Sequence, residues 1–124
     1  MNIERFRRVI VAVGLLAGAL TETHAQDLWI GQHAFATCAA CHSTDGSVGI
    51  GPSLKGIVGR RAGSYPGFRY SRAMNNAGRV WDAGTLEDFL LDPQKAVPGN
   101  GMPSGGIRDT AQRAQLIAYL QTLK

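Results

Sequence analysis

Two cysteines and a histidine stand within five residues, Cys38-Ala39-Ala40-Cys41-His42, and the chain has no other cysteine. The spacing C-x-x-C-H is the attachment pattern of a c-type haem. Two thiols three residues apart lie on one side of a helical turn, within reach of the two vinyl groups of one porphyrin. The imidazole that follows can then meet the iron as proximal ligand. Two other uses of the spacing compete. A thioredoxin-like redox pair would sit beside a βαβ pattern, and none is visible here. Half of a zinc site would need a second half, but His24 and His33 have no ligand spacing.

The start of the chain has the order of a secretory signal. Arg5, Arg7 and Arg8 precede a twelve-residue apolar run, Val9 to Leu20, and the polar stretch Thr21 to Ala25 ends in a small residue. The run is short against the roughly 20 residues of a membrane span. Residues 1–25 are therefore expected to be a signal peptide cleaved after Ala25, and 26–124 a single domain without stable membrane insertion. In a bacterium the destination is the periplasm. So short a domain gains little margin from side-chain burial alone, and a covalent macrocycle would add apolar surface.

Charge is unevenly spread. From Gln26 to Asp45 there are two acids and no base; from Gly46 to Trp81 there are six bases (Lys55, Arg60, Arg61, Arg69, Arg72, Arg79) and no acid; from Asp82 onward five acids face four bases. A basic stretch of this kind can be a solvated loop face, can neutralise haem carboxylates, or can steer an acidic partner. Nucleic-acid binding is not expected: the bases are not interleaved with stacking aromatics and no such module is present.

The pattern is helical with long loops, and no alternating strand is evident. Asp27 to Ala40 can form a first helix, with Asp27 favoured at its start. Gly46 to Phe68 is loop. Ser71 to Ala77 and Thr85 to Leu91 are short helices, the second stopped by Asp92-Pro93. Pro98 to Gly106 is loop again. The last helix is the clearest: Asp109 is an N-cap, Gln112 its partner, and Leu116, Ile117, Leu120 and Leu123 form the apolar stripe. Of the methionines beyond the signal, Met74 falls on a helix face. Met102 sits in a Pro/Gly loop where a soft thioether could be offered to the iron.

Taken in order, these blocks resemble the class I cytochromes c of the bacterial type, similar to mitochondrial cytochrome c and cytochrome c2. Gly31, Phe35 and the C-x-x-C-H pentapeptide open the match. Gly51-Pro52-Ser53-Leu54, Gly56 and Gly59-Arg60 follow, then Pro66-Gly67-Phe68, Tyr70, Ala73, Gly78 and Trp81. Leu86, Leu90, Pro93 and Pro98-Gly99-Asn100-Gly101-Met102 come next, and Leu116 to Leu120 closes it. The resemblance implies an all-α cytochrome c fold, three to five helices with long loops wrapped around one covalently attached haem c.

It also implies residue roles: Cys38 and Cys41 as the thioether anchors, His42 and Met102 as axial ligands, and the Pro52 carbonyl as acceptor for His42. Arg60, Tyr70 and Trp81 would surround a haem propionate, with Asn100 as a further donor. Gly31 and Phe35 would seat the first helix against Leu116 and Tyr119. The implied function is one-electron transfer between redox partner proteins, not catalysis, either as a free monomer or as a subunit of a larger redox complex such as a periplasmic dehydrogenase. A haem with a labile sixth ligand would instead be open to gas or peroxide.

Departures from the family pattern are informative. Phe89 replaces a tyrosine common near the methionine sulfur, Gly101 a lysine, and Ser104 an apolar residue. With only three lysines in the chain, the docking ring of mitochondrial relatives is not reproduced. Ser104 and its flanking glycines would leave the methionine side wetter, which favours ferric iron and lowers the potential.

Overall fold

The computed structural model describes residues 22–124. Most of the expected signal peptide lies outside the described residues. Helix α1 covers residues 22–34 and tightens into a 3-10 turn over Phe35–Thr37. Asp27 is thus not the first helical residue, since nothing in Glu22 to Gln26 breaks the helix. The helical ladder also ends before Ala40, because residues 38–41 form a separate turn.

Four further helices follow: α2 Arg72–Asn75, α3 Ala83–Leu91, α4 Pro93–Ala96 and α5 Thr110–Thr122. Each is started by an oxygen-bearing side chain that takes up a free N–H. Ser71 Oγ accepts from Met74, and Asp82 and Thr85 form a reciprocal capping box. Asp92 accepts from Lys95 and Asp109 from Gln112. The last pair agrees with the sequence pattern. Helix α4 adds to it: Asp92-Pro93 both stops α3 and starts α4, with Asp92 as cap and Pro93 at a first-turn position where its missing N–H costs nothing. Among the described residues there is no strand, only an isolated antiparallel bridge between Arg61 and Val80.

One apolar cluster runs through the molecule: Phe35 from the turn after α1, Ile57 and Ala62 from the loop, Trp81, Leu86 and Phe89 from α3 and its lead-in, Val97 after α4, and Leu116, Ile117 and Leu120 of α5. The crossing of α1 and α5 is set by Gly31. A Cβ there would overlap the Gln115 carbonyl and come within 2.9 Å of Tyr119 Cβ. Phe35 then stacks on Tyr119 with ring centroids 5.5 Å apart, and Leu116 is completely buried. Arg113 of α5 reaches back to α3 through a Glu87 ion pair (Nη2 to Oε1 2.6 Å), and its Nη1 donates to the Ile107 carbonyl at 2.7 Å. No described helix is long and apolar enough to cross a membrane.

Candidate functional site

The C-x-x-C-H segment is wound into a tight turn immediately after Phe35–Thr37. Cys41 N–H and His42 N–H both donate to the Cys38 carbonyl, at 3.0 and 2.9 Å. Cys38 and Cys41 are unbonded thiols, half-buried, and Cys38 packs against the apolar cluster. Burial pushes the Cys38 thiol above its ordinary range, although the neighbouring Thr37 hydroxyl pulls the other way. Among the described residues no three His, Cys, Asp or Glu side chains converge as a metal cluster.

His42 is held by one strong contact. Its Nδ1 lies 2.7 Å from the Pro52 carbonyl oxygen. A carbonyl only accepts, so Nδ1 is the donor, and in the neutral ring Nε2 is then the nitrogen open to a ligand. This is the tautomer a metal-ligating imidazole needs, with its orientation fixed from behind. The loop that brings Pro52 into place is tied to the same turn, since Gly51 N–H donates to the Cys41 carbonyl at 2.8 Å. Gly51 passes so close that a Cβ would stand 2.7 Å from His42 Cε1 and 2.8 Å from Nδ1. In the sequence Gly51 is one loop glycine among several; its reason is this close approach to the ring.

Met102 is half-buried and packs on the same cluster that Cys38 touches. Its loop is fastened at both ends. Ahead of it, Asn100 Oδ1 accepts from Met102 N–H at 2.9 Å. Behind it, Ile107 N–H donates to the Leu90 carbonyl at 2.7 Å. Phe89 is buried and meets Trp81 edge-on with centroids 5.0 Å apart; a phenylalanine has no hydroxyl to donate. Ser104 is exposed and its Oγ accepts from Gly106 N–H at 3.2 Å. Met74 packs against the cluster, as expected of a helix-face side chain.

Of the residues expected around a haem carboxylate, Trp81, Arg60 and Tyr70 are linked through backbone contacts and through Tyr65. Trp81 is buried and its backbone N–H donates to the Arg60 carbonyl at 2.9 Å. Tyr70 Oη accepts from Tyr65 N–H at 3.2 Å, which leaves its own proton free. Burial raises the Tyr70 phenol above its usual value, and burial likewise lowers the Arg60 guanidinium. Arg60 donates to the Ser53 and Lys55 carbonyls and lies over the Tyr65 ring at 4.6 Å. Tyr65, which no sequence signal singles out, donates its own hydroxyl to Gly46 at 2.8 Å and so staples the 46–53 loop to the 60–70 loop.

Asn100 departs from expectation. Its Nδ2 donates to the Pro93 and Val97 carbonyls, at 2.8 and 2.9 Å, so both amide protons are used inside its own loop. It braces Met102 instead of offering a proton to a carboxylate.

The donor set fits a covalent haem: two accessible thiols on one turn, an imidazole with its outward nitrogen free, and a thioether in a braced loop on the shared apolar cluster. Comparison with known proteins agrees. A cytochrome c family profile matches residues 30–124. Cytochrome c2 iso-2 of Magnetospirillum fulvum is 45% identical over 91 residues, covering 73% of this chain and 95% of that protein. Cytochrome c2 of Rhodoblastus acidophilus is 43% identical over 96 residues, covering 76% and 90%. The solved structure of cytochrome cH from Methylobacterium extorquens superimposes with a TM-score of 0.73 at 44% identity, over 75% of this chain and 95% of that one.

Proposed function

We propose, because this chain belongs to the cytochrome c family, that it is an exported, periplasmic carrier of single electrons whose one haem c is bound by His42 and Met102. Cys38 and Cys41 would hold the group covalently through their sulfurs. His42 would present Nε2 and Met102 its thioether from the other side. Such a haem supplies one-electron exchange between ferrous and ferric iron.

The protein's own residues set the terms of that exchange. The Pro52 carbonyl keeps His42 in one tautomer and raises its basicity. Asn100 fixes the backbone of Met102. With His42 and Met102 both committed to holding the group, no substrate would need to bind the metal, and the protein would carry charge without catalysing. Arg60, Tyr70 and Trp81 would meet a propionate, which a buried carboxylate requires. The family acts with redox partner proteins; a basic 46–81 segment favours a short-lived encounter with an acidic one. Export is supported by the charge, apolar and polar order of residues 1–25.

The observation that carries the proposal is the His42–Pro52 contact. It frees Nε2 and fixes the ring, which is what an iron-ligating histidine at a C-x-x-C-H turn requires. Met102→Ala tests the ligand pair. The ferric protein is expected to lose its sulfur–iron charge-transfer band, bind carbon monoxide readily when reduced, and show a lower midpoint potential. An unaltered spectrum and voltammogram would refute ligation by Met102.

A further inference from the structure

Arg79 is an inward-pointing charge with no assigned task. Val80 pairs with Arg61 in an antiparallel bridge and is 50% exposed, whereas Trp81 is 6% exposed. Side chains alternate along extended backbone, so Arg79 shares the inner side with Trp81. Its guanidinium makes one hydrogen bond, from Nη2 to the Ala96 carbonyl at 2.8 Å. Its Nε is buried without a partner. Leaving that N–H buried and unpaired costs free energy.

Ala96 is the last residue of α4, a helix of one turn that could not stand alone. Met102 hangs from this turn. Asn100 Nδ2 binds the Pro93 and Val97 carbonyls, Asn100 Oδ1 holds Met102 N–H, and Gln94 spans to Gly99 N–H and the Asn100 carbonyl. Within α4 and its cap, Arg79 supplies the bond that crosses to the 76–81 stretch after α2, 17 residues away in sequence. A charged donor on a carbonyl at a helix C-terminus is also favourably placed against the helix dipole.

We infer that Arg79 is a positioning residue for the second axial ligand: it holds α4 in place, and through Asn100 it holds the Met102 thioether on the iron. The inference rests on Met102 being that ligand. Nothing in the matched family blocks includes Arg79.

The test uses the haem-loaded ferric protein and added imidazole. Imidazole nitrogen forms a bond to iron as the Met102 sulfur–iron bond breaks, with no change of oxidation state. Loss of the charge-transfer band gives the apparent Kd. Arg79→Met is expected to lower that Kd about tenfold, the scale of one charged hydrogen bond. Amide exchange at Val97, Asn100 and Met102 should quicken similarly, while α5 amides stay protected. Arg79→Lys, which can still donate to Ala96, should restore most of both.

An Arg79→Met protein with wild-type imidazole affinity and wild-type exchange in 97–102 would overturn the inference. So would exchange that quickens equally in α5, which marks general destabilisation. If Arg79→Met does not load haem, Arg79→Gln is read in the same way. A wild-type protein lacking the charge-transfer band would instead fault the ligand assignment itself.

Discussion

Gly51 shows how much one missing side chain decides. The backbone at this position runs against the His42 ring, and the next residue supplies the carbonyl that fixes the ring's tautomer. Gly51→Ala places a methyl 2.7 Å from Cε1, so either the imidazole leaves Pro52 or the loop lifts away. The haem-loaded variant is expected to lose about 1–3 kcal/mol in denaturant unfolding, the range for overpacking a tight site. Gly49→Ala is the control. Its added carbon would meet only the Cys41 carbonyl, at 3.7 Å, and its stability should stay within about 0.5 kcal/mol of wild type. Equal losses in the two variants would remove the special status given to Gly51. At this scale the sequence discloses identities but not bearings. Cys38, Cys41, His42 and Pro52 are legible from spacing and resemblance. Asn100 is not, because spacing cannot say whether an amide faces a carboxylate or the carbonyls of its own loop. Arg79 is invisible, being one base among six in a stretch whose composition reads as a solvated face.

Helices are legible here where a cap and an apolar period coincide, and obscure where one residue serves two elements. Asp109, Gln112 and the leucine stripe announce α5 almost to the residue. Asp92-Pro93 carries a stop and a start together, and the stop hides the start. In the described residues α1 runs on ahead of Asp27 through residues 22–26, which Asp27's suitability as an opening residue does not foretell. The contact of α1 with α5 depends on Gly31, where backbone meets backbone. Gly31→Ala should drive the helices apart at cost to Phe35, Tyr119 and Leu116. A loss of about 1–3 kcal/mol is expected in unfolding of the loaded protein, with Gln32→Ala, at an exposed neighbour, nearly silent. Should the two substitutions prove equally harmless, the close crossing is not what joins these helices.

Over the whole molecule, charge is separated along the chain. Residues 46–81 carry six bases and no acid, while residues 96–107, around Met102, carry no charge at all. The resulting field should favour approach of anions. Reduction of the ferric protein by hexacyanoferrate(II), or oxidation of the ferrous form by hexacyanoferrate(III), is expected to slow several-fold between about 10 mM and about 0.5 M salt, as the Debye length shrinks from about 30 Å to a few ångströms. A cationic cobalt or ruthenium reagent should show the opposite slope. Rates independent of salt with both reagents would mean that the basic loops do not steer encounters. That bias can be counted from the sequence. The fold that displays it needs the cofactor-sized architecture implied by the C-x-x-C-H pentapeptide.

The far end of the chain has a role of its own. Gly56 N–H donates to the Leu123 carbonyl at 2.9 Å, just past the end of α5. This clasp joins the last turn to the stretch from which Arg60 and Pro52 reach inward. Loss of Leu123 would unfasten it. The tail is a latch, and anyone re-engineering this carrier should splice beyond it.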